Sequence, residues 1–263
     1  MVRTQVAAAR AAIVDLDGTT YIDNELLPGA AAGIALLRKS LVKCLFVTNN
    51  SIHPPCYYSC KLTSLGIEAS DGDIITPLTI ASGMFARSEG SRLLFFGEKA
   101  ATEYLAANNV EITTSPYNAT DVLIGLDRSF TLGSAVLIRD ALLSGARYYA
   151  TNPDTVWPTR CGGIPDTGVI IAAITAYLNK QPTLIGKPSR FMVEAAMLRS
   201  GCQQAALVVI GDRMSTDMKM AATSGIPGFV IGDESSTNIT TGGVTVVSSL
   251  LAAAESILSL IHI

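Results

Sequence analysis
Charged residues are scarce in this 263-residue chain: Asp, Glu, Lys and Arg together make up 16% of it. With a formal net charge of −3 the surface has no broad basic field, so neither nucleic acid nor an anionic membrane is expected as a main partner. Local basic residues could still hold a small anion. Histidine is rarer still, with only His53 and His262, which gives histidine relays little material. The five cysteines, Cys44, Cys56, Cys60, Cys161 and Cys202, are odd in number and include no CxxC pair. Free thiols in a reducing cytoplasm are therefore expected rather than a disulfide framework. Cys56 and Cys60 could share a helix face, but two thiols without further ligands make a poor zinc site. The chain also lacks a long apolar run. Its longest uncharged segment, residues 235–254, is half Gly, Ser and Thr, and the N-terminal residues have no signal-peptide core, so no membrane segment is expected. Pro188 follows Lys187, so no P-loop forms there. No cysteine is followed six positions later by arginine, and neither GxSxG nor GxGxxG occurs.

What the chain does have is apolar residues, 49% of the total, enough for a large core and compatible with a homodimer interface. The run Ile13-Val14 rises to Asp15-Leu16-Asp17 and turns at Gly18-Thr19. As a strand over 11–17 it would point Asp15 and Asp17 the same way, two carboxylates that repel unless a cation or shared proton relieves them. Helical periodicity at 30–39 follows, then a strand at 42–47 and a helix from Pro54-Pro55 to Leu65-Gly66. Further helices are expected at 79–87, through Leu105, at 132–143, at 169–178 and to about Arg199. Strands are expected at 92–96, near Val110 and Val122, and at 146–150, 183–185, 206–210, 228–231 and 244–247. A helix over 250–263 closes the chain and carries His262, with no catalytic role expected. Residues 151–168, rich in Pro, Gly, Thr and Asp, read as loop. This alternation predicts an α/β fold with a doubly wound parallel sheet, which binds ligands at the C-terminal ends of its strands.

Four polar clusters stand at such ends: Asp15/Asp17, Thr48/Asn49, Lys187, and Asp212/Asp217. Along one sheet edge they would bring together carboxylates, a hydroxyl and a lysine. Carboxylate oxygens suit a hard cation such as Mg2+, which usually also keeps waters and a phosphate. A carboxylate can attack phosphorus, while hydroxyl, backbone N–H and ammonium groups stabilise the transferring phosphoryl oxygens.

In order, Asp15-Leu16-Asp17-Gly18-Thr19, Thr48-Asn49-Asn50-Ser51, Gly186-Lys187-Pro188-Ser189 and Gly211-Asp212-Arg213-Met214-Ser215-Thr216-Asp217 resemble the motifs of the haloacid dehalogenase superfamily. The resemblance is narrower to its NagD-like and p-nitrophenylphosphatase-like branch, which has a Thr-Asn-Pro-Asp-type loop, here Thr151-Asn152-Pro153-Asp154. It implies a Rossmann-like core over residues 1–77 and 184–263 with an inserted α/β cap over 78–183 that closes on small substrates. It implies a Mg2+-dependent phosphomonoester hydrolase with an aspartyl-phosphate intermediate. The substrates would be small phosphorylated metabolites: sugar phosphates, nucleoside monophosphates, phosphoglycolate or pyridoxal phosphate. Asp15 would be nucleophile and metal ligand. Asp17 would be general acid and then base, its carbonyl also on the metal. Thr48 and Lys187 would hold the phosphoryl group, Lys187 also pairing with Asp15, and Asp212 would complete the metal site. Asp217 would brace that site, through water or by hydrogen bonding. Gly18, Asn49, Asn50, Asn152, Asp154 and Trp157 would shape phosphate and substrate binding. Two other readings stay open: a phosphoryl transferase or mutase of the same family, and a non-catalytic phospho-switch, against which the large insertion between Thr48 and Lys187 argues.

The chain departs from the family pattern at Ile52-His53-Pro54-Pro55, at Pro165-Asp166-Thr167-Gly168, where Asp166 is placed to cap the next helix, and at Met220. Trp157 either packs under its loop or offers a stacking platform to an aromatic leaving group.

Overall fold
Strand β1, Ala11–Asp15, is buried along its whole length, as an uninterrupted apolar run between two covered faces requires. A computed structural model describes residues 9–159, 162–232, 240–241 and 243–261; Cys161 and His262 lie outside the described residues. After β1 come the short antiparallel pair β2 (Tyr21–Ile22) and β3 (Glu25–Leu26), helix α1 (Ala30–Lys39), strand β4 (Lys43–Val47) and helix α2 (Pro55–Ser64). Next are β5 (Ile74–Ile75), α3 (Pro77–Phe85), β6 (Leu93–Phe96), α4 (Lys99–Ala107), β7 (Asp121–Ile124), α5 (Leu132–Leu143) and β8 (Arg147–Ala150). Strands β9 (Val156–Thr159) and β10 (Gly162–Pro165), helix α6 (Thr167–Leu178) and β11 (Thr183–Leu184) lead to α7 (Arg190–Ser200). The chain finishes with β12 (Leu207–Gly211), α8 (Lys219–Thr223), β13 (Gly228–Ile231), β14 (Thr240–Thr241), β15 (Val244–Val247) and α9 (Leu250–Ile261). None of the described helices is long and apolar enough to cross a membrane.

The described chain divides into two units, Met1–Thr48 with Pro55–Ile75 and Lys187–Ile263, and Asn49–Pro54 with Thr76–Gly186. In the first, a seven-stranded sheet has the order β14-β15-β13-β12-β1-β4-β5, parallel except where β14 meets β15. Ala12 and Val14 pack with Ile34 and Leu37 of α1 and Ala253, Ala254 and Ile257 of α9. Ile13, on the opposite face, is just as fully buried. Each buried Val, Leu or Ile side chain contributes about 1.5–3 kcal/mol, which fixes the strand's register. The second unit has a four-stranded parallel sheet, β11-β8-β7-β6, and the separate hairpin β9–β10. Its core gathers Val122 and Ile124 of β7, Ile138 and Ala141 of α5, and Ile170, Ile171 and Ile174 of α6.

Three expectations change. Strand β1 stops at Asp15, because the carbonyl of Leu16 accepts the backbone N–H groups of Thr19, Thr20 and Tyr21 and so turns the chain. Asp17 therefore belongs to a turn and not to the strand. Near Val110 only a single bridge, Leu93 to Ile112, forms in place of a strand. The segment read as loop after Thr151 contains the β9–β10 hairpin, whose register pairs Trp157 with Ile164. Asp166 does cap α6, its Oδ1 accepting from the Thr167 N–H at 2.6 Å.

Candidate active site
Asp15 ends β1, and its strand neighbours on either side are β4 and β12. The parallel register sets Asp15 beside Val47, so Thr48 is the first residue past the strand partner of Asp15. Thr48 is buried, and its N–H donates to the Ile75 carbonyl at 3.2 Å. On the other side β12 ends at Gly211, and Asp212 follows directly. Parallel strands thus deliver Asp15, Thr48 and Asp212 to one edge of the sheet.

Lys187 enters this edge from the start of the segment that leads to α7, and its side chain is only 5% exposed. Its ammonium donates to Asp15 Oδ1, and to Asp217 Oδ1 at 2.7 Å. Burial alone would lower the lysine pKa, but Asp15 and Asp217 outweigh it and hold the group above the usual lysine range. The Thr19 hydroxyl donates to Asp15 Oδ2 at 3.0 Å and lies 3.3 Å from Asp212 Oδ1. Both oxygens of Asp15 are therefore held in place. The Thr20 hydroxyl donates to the Asp15 carbonyl at 2.7 Å and fixes the backbone of the same turn.

Two glycines make this crowding possible. Gly18 has φ +91°, and a Cβ there would come within 2.5 Å of Asp212 Oδ2. A Cβ on Gly211 would come within 2.4 Å of Asp217 Cγ. Asp217 itself sits in a widened turn, Met214–Met218, where the Arg213 carbonyl accepts from both the Asp217 and Met218 N–H groups. Such one-turn expansions often accompany functional side chains. The Arg213 N–H donates back to Asp217 Oδ2 at 3.3 Å.

Carboxylate oxygens of Asp15, Asp212 and Asp217 lie within 4.8 Å of one another. Burial, then Asp15 and Asp217, raises the Asp212 carboxyl to about 7. Burial also lifts Asp217, with Asp15 adding to the shift and Lys187 opposing it. Three crowded carboxylates facing one ammonium hold more negative charge than it neutralises, and all the donors are oxygens. That donor set fits a hard divalent cation. The Asp17 carboxylate stands outside this trio. Its carboxyl is raised to about 6, by burial first and by Asp15 second.

The other residues singled out by motif lie in the second unit. Asn49 donates its Nδ2 to Asp154 Oδ2 at 2.9 Å, and its carbonyl accepts from Asn152 Nδ2 at 3.0 Å. Asn152 Oδ1 accepts from the Asp154 N–H at 2.9 Å. These three residues therefore grip one another. Asn50 Oδ1 accepts from the Ile52 N–H at 3.0 Å, and Trp157 lies on β9. Sequence reasoning assigned nothing to Thr19, Thr20 or Lys61, whose ammonium stands 3.7 Å from the centroid of the Tyr21 ring. The only available signal was the hydroxyl run that closes the first motif.

Two family models match separate stretches of the chain. A haloacid dehalogenase-like hydrolase model matches residues 12–111 and a HAD-hydrolase-like model matches residues 184–251. The chain is 32% identical to a dihydroxyacetone phosphatase of Corynebacterium glutamicum, over 81% of this chain and 78% of that one. It is 30% identical to the 5'-nucleotidase YutF of Bacillus subtilis, over 83% of this chain and 85% of that one. Among solved structures, a 4-nitrophenylphosphatase from Thermotoga maritima superposes with a TM-score of 0.85 at 27% identity, covering 96% of this chain and 98% of that one. The chain belongs to the haloacid dehalogenase-like hydrolases, as a phosphatase of their NagD-like branch.

Proposed function
We propose that this phosphatase is a Mg2+-dependent phosphomonoester hydrolase of small metabolites, working through an aspartyl-phosphate on Asp15. The substrates are sugar phosphates, nucleoside monophosphates, phosphoglycolate or pyridoxal phosphate. The observation that carries this reading is Asp15 itself, pinned by Lys187 and Thr19 beside Asp212 and Asp217. A carboxylate oxygen of Asp15 attacks phosphorus, the P–O bond to the alcohol breaks, and Asp17 gives its proton to the leaving oxygen. A carboxyl titrating near 6 is well matched to that proton transfer at neutral pH. Asp17, now ionised, takes a proton from water as the water attacks phosphorus. The P–O bond to Asp15 then breaks, which releases inorganic phosphate and restores the Asp15 carboxylate. Thr48 and Lys187 stabilise the phosphoryl oxygens throughout. Asp15, Asp212 and Asp217, with the Asp17 carbonyl, would hold Mg2+, which when bound offsets the negative charge of the phosphoryl group.

The first unit is the catalytic core in this reading and the second is the cap that selects the substrate, with Asp154 and Trp157 as its candidate selectors. The relatives named for dihydroxyacetone phosphate and for 5'-nucleotides support a small-metabolite substrate without choosing one. The free thiols of Cys44, Cys56, Cys60 and Cys202 support a reducing, cytoplasmic setting. Asp15→Asn is expected to abolish phosphate release from p-nitrophenyl phosphate, and EDTA is expected to do the same to the wild type. Full activity after either treatment would refute the mechanism. A panel of phosphate monoesters assayed with Mg2+ then ranks the substrates.

A further inference from the structure
Asp154 closes the Thr-Asn-Pro-Asp loop of the second unit, half-buried, and its Oδ2 accepts from Asn49 Nδ2 at 2.9 Å. Asn49 follows Thr48 directly in the chain and is only 9% exposed. Two more residues of the loop reach the same segment. Asn152 Nδ2 donates to the Asn49 carbonyl at 3.0 Å, and Thr151 Oγ1 accepts from the Ser51 hydroxyl at 3.2 Å. The loop is itself anchored at both ends. The Thr151 N–H donates to the Ile124 carbonyl of β7 at 2.8 Å, and the Gly168 N–H of α6 donates to the Asp154 carbonyl at 2.7 Å. A Cβ on Gly168 would come within 2.4 Å of the Pro153 carbonyl oxygen, so the start of α6 comes this close only with glycine there. Every residue of this network belongs to the second unit.

The need to satisfy buried polar groups explains part of this. Asn152 is 1% exposed, and a buried amide left without partners is costly. That need does not explain the choice of partners. Three residues of the four in the loop spend side-chain atoms on the one segment that continues Thr48. Asn49 is bonded at its carbonyl and at its side chain, which fixes both its peptide plane and its rotamer. The Asn49–Asn50 peptide is trans, so holding that carbonyl also sets the direction of the Asn50 N–H. A group that receives a phosphoryl oxygen depends on such placement, because small errors of position are expensive in rate.

We propose that Asp154 is a positioning residue: through Asn49 it holds the backbone after Thr48 in the geometry that receives the phosphoryl group, and it takes no part in choosing the alcohol half. The inference rests on the phosphatase reading above and narrows its two candidate selectors to Trp157. The Oδ2 acceptor of Asp154 is spent on Asn49, and what it governs is common to every substrate.

Inorganic phosphate tests this, because it carries no alcohol half. Its inhibition constant against p-nitrophenyl phosphate hydrolysis should rise about tenfold in Asp154→Ala, the worth of one charge-assisted hydrogen bond. Asp154→Asn, which keeps an acceptor oxygen, should recover part of that loss. The ratio of kcat/KM for p-nitrophenyl phosphate to kcat/KM for the fastest metabolite ester of the panel should stay within about twofold of the wild type. Neither readout depends on the fraction of folded enzyme. Asn49→Ala removes the same bond from its other end, so it serves where Asp154→Ala does not fold. With both substitutions combined, the inhibition constant should rise no further than with Asn49→Ala alone. An inhibition constant unmoved in Asp154→Ala, a shifted substrate ratio, or additive effects in the double variant overturns the proposal and leaves Asp154 a selector or a support for its loop. A wild type that releases phosphate from neither p-nitrophenyl phosphate nor any ester of the panel overturns the phosphatase mechanism instead.

Discussion

Around the ammonium of Lys187 the carboxylates of Asp15, Asp212 and Asp217 repel one another, and this has a consequence for stability. Asp17 is raised to about 6 and Asp212 to about 7, against 3.8 for an unperturbed aspartate. A carboxyl that holds its proton more tightly when folded stabilises the fold most fully below its unfolded pKa. That contribution is lost as pH rises through the folded value. The metal-free protein is therefore expected to lose thermal stability as pH rises from 5 to 8. Mg2+ should raise the melting midpoint more at pH 8 than at pH 5, where protons compete for the same oxygens. Scanning fluorimetry with and without EDTA reads both effects; a midpoint that rises with pH in the absence of metal would contradict the assignment. At this scale the convergence of Asp15, Asp212, Asp217 and Lys187 was legible, because each stands at or near an end of a recognisable strand. Thr19 and Lys61 were not legible. Thr19 reaches Asp15 only because the chain turns after Asp15, where a strand to residue 17 was expected, and Lys61 meets Tyr21 only through the tertiary fold.

Elements were legible where periodicity was strong. Helices α1 and α5 and strands β13 and β15 have the ranges that their apolar patterns predict. The β9–β10 hairpin was hidden because Pro158 and Pro165 break the ladder pattern and Gly162-Gly163 mimic a loop. Two-residue strands such as β5 have no periodicity to read. The cap of α6 shows how one residue sets an element's start. Asp166 Oδ1 accepts from the Thr167 N–H and also lies 3.0 Å from the Thr167 hydroxyl. Asp166→Ala should destabilise the protein by about 1 kcal/mol, measured by urea denaturation, and Asp166→Asn by less. No change in Asp166→Ala would mean that the packing of Ile170, Ile171 and Ile174 alone fixes the helix start.

For the molecule as a whole, the second unit has a sheet, flanking helices and a core of its own. It also contains a polar network around the buried Asp121 carboxylate, in which the exposed Arg147 donates to both of its oxygens at 2.7 and 2.9 Å and Ser91 donates to it at 3.0 Å. Such a unit is expected to fold when excised. A fragment of residues 76–186 should melt cooperatively by circular dichroism. A broad, non-cooperative transition would show that it depends on the rest of the chain.

The pairing of β1 with both β4 and β12 also sets an order on the ribosome. Lys187 lies 172 residues beyond Asp15, and Asp212 and Asp217 emerge later still. A nascent chain can complete the second unit while β1 still lacks β12 beside it and Asp15 lacks the ammonium of Lys187. The sheet edge that gathers Asp15, Thr48 and Asp212 is therefore complete only once β12 has joined β1.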